Sequence, residues 1–172
     1  MIKIFASLFI AAYLIFSFAA SDIVAQPRKT IILVRHAEKD TSEMANSSDP
    51  SLTQQGKERA ERLVKAIKKY RPGAVYSTDF IRTRDTAAPI AKRRDVQVKI
   101  YDGKNQNALV DEILKSKTKR FVIVGHSNTI PPLANLFLKQ DLLKPYDESI
   151  YGNLLIIRVE AGEVRKLELV KY

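Results

Sequence analysis

Only two histidines occur in the chain, and each closes a short β-branched run: Ile31-Ile32-Leu33-Val34-Arg35-His36 and Phe121-Val122-Ile123-Val124-Gly125-His126. Such a run ending in polar and small residues reads as a buried parallel strand entering a loop. In an open α/β sheet the carboxyl ends of the strands are where ligands bind. If these strands are neighbours, two imidazoles and Arg35 converge on one crevice. Arg82 falls on a third loop of the same kind, opening a helix after Tyr76-Ser77-Thr78-Asp79. Two guanidiniums and two imidazoles suit a phosphoryl group. Arginine binds phosphate oxygens bidentately with a charge that does not depend on pH, and nearby helix N-termini add N–H donors. A neutral imidazole can also attack phosphorus, dividing one hard displacement into two steps through a phosphohistidine. That role needs one ring nitrogen free and the other held as N–H, commonly by a backbone carbonyl. His36, directly after its strand, is placed for it; His126 would then stabilise the transferring phosphoryl oxygens beside Arg35 and Arg82.

The elements that must position these residues follow from periodicity. Lys29–Val34 reads as the first strand, and Thr53 to Tyr70 as a helix with Ala60, Leu63, Val64 and Ile67 on one face. Asp49-Pro50-Ser51 supplies its start signals and Pro72-Gly73 its stop. A short strand over Ala74–Ser77 leads to a helix over Arg82 to Lys92, with Ser77 and Asp79 as its expected caps. Val96–Tyr101 alternates like a half-buried edge strand, Ala108–Ser116 is a modest helix, and Arg120–Val124 is a second central strand. Pro131-Pro132 opens a helix through Leu138, and Asn153–Glu160 with Glu163–Val170 forms a hairpin about Ala161-Gly162. The alternation predicts a three-layer α/β/α domain, its sheet mostly parallel with a C-terminal antiparallel hairpin. Thr53 and Gly56 are expected to shape the first helix; Tyr151 and Asn153 receive no role.

The chain has 172 residues, no cysteine and a formal net charge of +10, so disulfides and thiolate metal sites are excluded and anionic partners are favoured. Its Lys and Arg residues are spread along the chain without an RNA-binding aromatic signature, so nucleic acid is not expected, while the same charge suits a membrane surface. Met1-Ile2-Lys3 precedes an uncharged run from Ile4 to Ala20 and then small residues. This reads as a signal peptide over residues 1–25, cut after Ala25 or Ala19, with an uncleaved anchor as the alternative. Either outcome places the domain over 26–172 outside the cytoplasm, periplasmic or secreted.

Leu33-Val34-Arg35-His36-Ala37-Glu38 resembles the Arg-His-Gly/Ala signature of the histidine phosphatase superfamily, the phosphoglycerate mutase-like proteins. Leu52-Thr53-Gln54-Gln55-Gly56 resembles its Leu-Thr-x-x-Gly element, Tyr76 to Ala87 its segment with the second phosphate-binding arginine, and Val124 to Thr129 the segment with its second histidine. The resemblance implies a phosphoglycerate mutase-like fold and phosphatase activity on a small phosphorylated or polyanionic substrate. It implies His36 as the phosphorylated nucleophile, Arg35, Arg82 and His126 as the rest of the phosphate pocket, and no cofactor or metal. It does not specify an oligomeric state.

Larger members carry a carboxylic acid that protonates the leaving oxygen, on an insertion or directly after the second histidine. Here Ser127 follows His126, and the stretch from Tyr101 to Lys119 is too short for a large insertion. The candidates are Glu38, Asp102, Asp111 and Glu112; the last two sit in a predicted helix and read first as solvated surface charges, and Glu38, nearer the nucleophile, reads equally as a partner of Lys39 or Arg84. Alkyl phosphates need such an acid more than phosphoanhydrides or phosphohistidine do. Short family members include protein phosphohistidine phosphatases without it, whose substrates are cytoplasmic. The rival readings are a phosphate-binding domain without turnover, a serine hydrolase built on Ser127 (which lacks a Gly-x-Ser-x-Gly elbow), and a metal-dependent phosphatase lacking a close Asp/Glu cluster.

Overall fold

Four strands with apolar residues on both faces require cover from two sides, and helices on each face of the sheet supply it. The computed structural model describes residues 28–42 and 47–172; the expected signal peptide lies outside the described residues. The elements are β1 (Lys29–Arg35), α1 (Gln54–Ile67, continued by a 3-10 turn over Lys68–Tyr70), β2 (Ala74–Ser77), α2 (Ile81–Arg94), β3 (Val98–Ile100), α3 (Gln106–Lys115), β4 (Arg120–Gly125), α4 (Ile130–Leu138), β5 (Asn153–Glu160) and β6 (Glu163–Lys171). The sheet order is β3-β2-β4-β1-β5-β6. β3, β2, β4 and β1 run parallel, whereas β5 is antiparallel to β1 and β6 to β5. This is the expected three-layer α/β/α arrangement with its C-terminal hairpin.

Because side chains alternate across a strand, β1 feeds two cores. Ile31 and Leu33 join Phe121 and Ile123 beneath Ile113 of α3 and Leu133 of α4. Ile32 and Val34 join Val122 and Val124 beneath Leu63 of α1 and Ile90 of α2. Among the described residues no helix is long and apolar enough to cross a membrane.

The expected strands and helices are present with ends shifted by a few residues, but the caps differ. Thr53 is the N-cap of α1, its hydroxyl accepting from Gly56 N at 3.0 Å. Asp49 serves α2 instead, where its two carboxylate oxygens accept from Ile81 N at 2.9 and 3.0 Å. Ser77 and Asp79 do not cap α2. Ser77 donates to Thr78 O, Asp79 pairs with Arg84, and the N-cap residue is Phe80, which has no capping side chain. Because the N-cap position falls on a phenylalanine, which has no side-chain acceptor, the orphan N–H of α2 is satisfied from the loop before α1.

Gly56 is needed for a close approach: a Cβ there would lie 2.3 Å from the Glu38 carbonyl oxygen. Its bareness lets the first turn of α1 rest on the segment after β1, where Thr53 N also donates to Glu38 O at 2.9 Å. The parallel strands therefore deliver Arg35, Ser77, Tyr101 and Gly125 to one end of the sheet, and the helices carry the chain back to the other.

Candidate active site

Arg35 and Gly125 are register partners at the last rung between β1 and β4, so His36 and His126 each follow by one residue. His36 N still donates to Gly125 O at 2.8 Å, which fixes the two backbones past the ladder. The imidazoles meet edge-on, with centroids 5.3 Å apart and planes at 67°. His36 Nδ1 lies 2.7 Å from Ala37 O. A carbonyl can only accept, so Nδ1 carries the proton and Nε2 keeps its lone pair. Burial, and then the charges of Arg35, His126 and Arg82, push the His36 pKa down to about 3. The same two causes, burial first and then Arg82 and Arg35, hold His126 at about 4. Both rings are thus neutral at neutral pH, the state a nitrogen nucleophile requires.

A hydroxyl relay orients His126. Its Nε2 is 2.9 Å from Thr78 Oγ1, which donates to Thr83 Oγ1 at 3.1 Å, while the Thr83 hydroxyl donates to the carbonyls of Thr78 and Phe80. With its own proton committed to Thr83, the Thr78 oxygen accepts from His126 Nε2–H. Phe80 closes on the same ring, centroids 4.9 Å apart at 89°.

The two arginines are held differently. Arg82 bonds Asp49 Oδ1 at 3.2 Å and stacks over Phe80 at 4.4 Å. Arg35 is buried, and its terminal nitrogens face the loop before β5: the carbonyls of Glu148 and Ile150 at 2.8 and 2.9 Å, and the Glu148 carboxylate at 2.6 Å. The Tyr151 ring lies 4.1 Å beneath its guanidinium, which gives that tyrosine a positioning role. Glu148 also accepts from the Ser127 hydroxyl. That bond, and then Arg35 and Lys39, hold its carboxyl below the usual range, so it is ionised. Ser127 is engaged by Glu148 rather than by His126, which removes the serine–histidine pair a serine hydrolase would need.

A cleft of about 740 Å³ opens above these groups, lined by His36, Arg82 and His126, with Lys39, Phe80, Ile100, Lys104 and Asn128 around them. Three carboxylates line it too: Asp79, Asp102 and Glu148. Of the sequence candidates for the acid, only Asp102 is among them. Asp111 pairs with Lys115, and Glu112 accepts from the Tyr76 hydroxyl and pairs with Lys99, both carboxylates lying on α3 away from the cleft. Glu38 pairs with neither Lys39 nor Arg84 but with Arg59 of α1, at 2.7 Å, because Gly56 brings that helix directly onto it. Glu148 was missed by sequence reasoning. Its signal was an acidic Asp147-Glu148 pair just before a strand, interpretable only once β5 is known to lie beside β1.

Residues 31–106 match the family model of the histidine phosphatase superfamily (branch 1). Among curated proteins, none matches the sequence significantly. Solved structures of the same fold include mycobacterial glucosyl-3-phosphoglycerate phosphatase (12% identity, TM-score 0.64, covering 84% of this chain and 98% of that one). A histidine-to-alanine mutant of phosphoserine phosphatase from Entamoeba histolytica, in complex with phosphoserine, is 17% identical, with a TM-score of 0.63 over 81% of this chain and 96% of that one. The candidate phosphohistidine phosphatase SixA from Agrobacterium tumefaciens is 18% identical, with a TM-score of 0.63 over 84% and 99%. The histidine-bearing first strand and the second arginine fall within the matched residues, so this part of the chain is similar to the histidine phosphatase superfamily, and the solved structures share its fold.

Proposed function

We propose that the protein is an extracytoplasmic phosphatase, working without a cofactor through a covalent phosphohistidine at His36. The observation that carries this is the tautomer: Nδ1–H is tied to Ala37 O, leaving Nε2 free beside His126 and above a cleft lined by Arg82. In the first step the Nε2 lone pair forms the N–P bond as the P–O bond to the leaving group breaks, the departing oxygen keeping the electron pair and taking up a proton. The Ala37 carbonyl stabilises the positive charge that the phosphorylated ring acquires. In the second step water attacks phosphorus, the N–P bond returns its electrons to Nε2, and inorganic phosphate leaves with the proton balance restored by solvent. Arg82 lies on the cleft to bind the phosphoryl oxygens. Burial first and then the arginine fields hold His126 neutral; a dianion beside it opposes the second of these and favours the protonated ring as substrate binds. Arg35 contributes charge from behind the cleft.

Asp102, which lines the cleft and accepts from Lys104 N at 2.8 Å, is the one sequence candidate placed to face the leaving oxygen of a phosphate ester or anhydride. The extracytoplasmic site rests on the uncharged Ile4–Ala20 run. Hydrolysis of an aryl and an alkyl monophosphate, with chelator present, tests the reading. We expect turnover of both by the wild type and loss of at least roughly a thousandfold in His36→Ala. Near-wild-type rates in that variant overturn the phosphohistidine, and phosphate binding without any turnover replaces the enzyme with a phosphoryl-ligand binding domain.

A further inference from the structure

We infer that the end of the sheet opposite the cleft is a docking surface for an anionic lipid bilayer, independent of catalysis. α1 and α2 run back from the cleft and finish side by side at this end. Between them lie two grooves lined by Lys65, Lys68, Arg71, Lys92, Arg93 and Arg94, floored by Val64, Ile90 and Pro89, with Glu61 as the one carboxylate among their lining residues. Lys117, Lys119 and Arg120 extend the same end at the start of β4. All are exposed except Arg94, which is half-buried and donates to Pro72 O. Among the described residues no ion pair joins any of these nine cations to a carboxylate. Cations suit the last turn of a helix, which accounts for Lys65 and for Lys92 to Arg94 one by one. It does not account for two such helix ends and a strand start gathered with only Glu61 and the α2 cap residue Asp95 among them, an excess of cations that repels itself and is relieved when a polyanion arrives.

The position of the chain entry selects the polyanion. Thr30 N donates to Lys119 O at 2.8 Å, so β1 begins beside the β4 cations. Ala20, the last residue of the uncharged run, precedes Arg28 by eight residues, a reach of at most roughly 28 Å. With that run kept as the uncleaved anchor, the polybasic cluster beside it reads as a surface for anionic lipid headgroups. In this orientation the cleft faces away from the bilayer.

The absence of cysteine makes the test direct. The full chain would carry one fluorophore, at Gln97→Cys between α2 and β3 or at Asn107→Cys at the cleft end of α3. Quenching by a headgroup-borne quencher would be read in phosphatidylcholine vesicles with and without phosphatidylglycerol. We expect the Gln97 label to be quenched several-fold more with phosphatidylglycerol, a difference erased by high salt and by Lys68→Glu/Arg71→Glu/Arg93→Glu. The Asn107 label should not respond, and hydrolysis of aryl phosphate should be unchanged in the triple variant. Should that variant fail to fold, Lys117→Glu/Lys119→Glu should reduce the difference. Equal quenching in both lipids, an equal response of the two labels, or a lipid difference that survives charge reversal would overturn the surface. Tight binding of duplex DNA at this end without a lipid difference would assign it to nucleic acid instead.

Discussion

The two ends of the sheet treat positive charge in opposite ways. At the cleft end the arginines are buried or nearly so and each meets a carboxylate: Arg35 with Glu148, Arg59 with Glu38, Arg82 with Asp49. At the far end the cations of the α1–α2 grooves, Arg94 apart, are exposed, and none of them carries such a partner among the described residues. The difference is one of dielectric. A guanidinium removed from water is costly unless paired, so the cleft end has to supply its own anions before any substrate arrives. A lysine in solvent needs none and contributes little to the fold. On the proposed function, a phosphoryl group entering the cleft has to compete with carboxylates already in place.

That view separates two carboxylate–arginine pairs experimentally. Arg82→Ala removes charge-assisted donors from the cleft wall, so competitive inhibition by inorganic phosphate should weaken by roughly 100-fold. Glu148→Gln removes the negative charge beside Arg35 while keeping a side chain that can accept from Ser127. Inhibition by phosphate should then strengthen, by about tenfold if the lost repulsion is near 1.4 kcal/mol. Inhibition constants measured in both variants decide the matter. Weaker phosphate binding in Glu148→Gln would mean that this carboxylate orders the site rather than competing within it.

What was legible in the sequence was what is local. His36, Arg82 and His126 each follow a strand by a few residues, and a strand of buried β-branched residues announces itself within six or seven positions. The layers follow from the alternation of helical and strand patterns, and the hairpin from Ala161-Gly162. The pairings that finish the site are not local. Arg35 reaches Glu148 across 113 residues of sequence, because β5 lies against β1 and its preceding loop falls over the end of that strand. Asp49 caps a helix 32 residues downstream. Glu38 finds Arg59 rather than a neighbour because Gly56 admits α1 so closely. Charge pairing depends on sheet order, which periodicity does not encode.

The histidines should behave as buried bases. With folded pKa values of about 3 and about 4 against an ordinary 6.5, both rings refuse a proton that the unfolded chain accepts. Below pH 6.5 the unfolded state therefore binds more protons, so the stability these rings contribute is complete above that pH and is lost as pH falls, down to about 4 for His126 and about 3 for His36. Since the chain has only these two histidines, NMR titration of the ring carbons reads them without ambiguity. Both should remain neutral at pH 5, and a midpoint near 6.5 in the folded protein would remove the case for a neutral, desolvated nucleophile. Salt should leave these midpoints nearly unchanged, since desolvation leads the shift at each ring and is insensitive to screening.

The smallest contrast tests the fold itself at the two ends. Gly56→Ala places a methyl 2.3 Å from a backbone carbonyl that belongs to the segment after His36. Neither partner is the tip of a flexible side chain, so α1 or that segment must move, at a cost of about 1–3 kcal/mol in urea unfolding. The displacement also reaches the Glu38–Arg59 pair, so kcat should fall along with stability. Arg93→Ser at the far end removes an exposed cation from among its like, with no carboxylate left behind, and should change stability by less than about 0.5 kcal/mol. A small gain there is the expected sign, because relief of repulsion outweighs the loss of one favourable contact with the helix terminus. If Arg93→Ser instead destabilised the protein as much as Gly56→Ala, the far end would hold structural ion pairs of its own, and the contrast between a paired cleft and an unpaired face would fail.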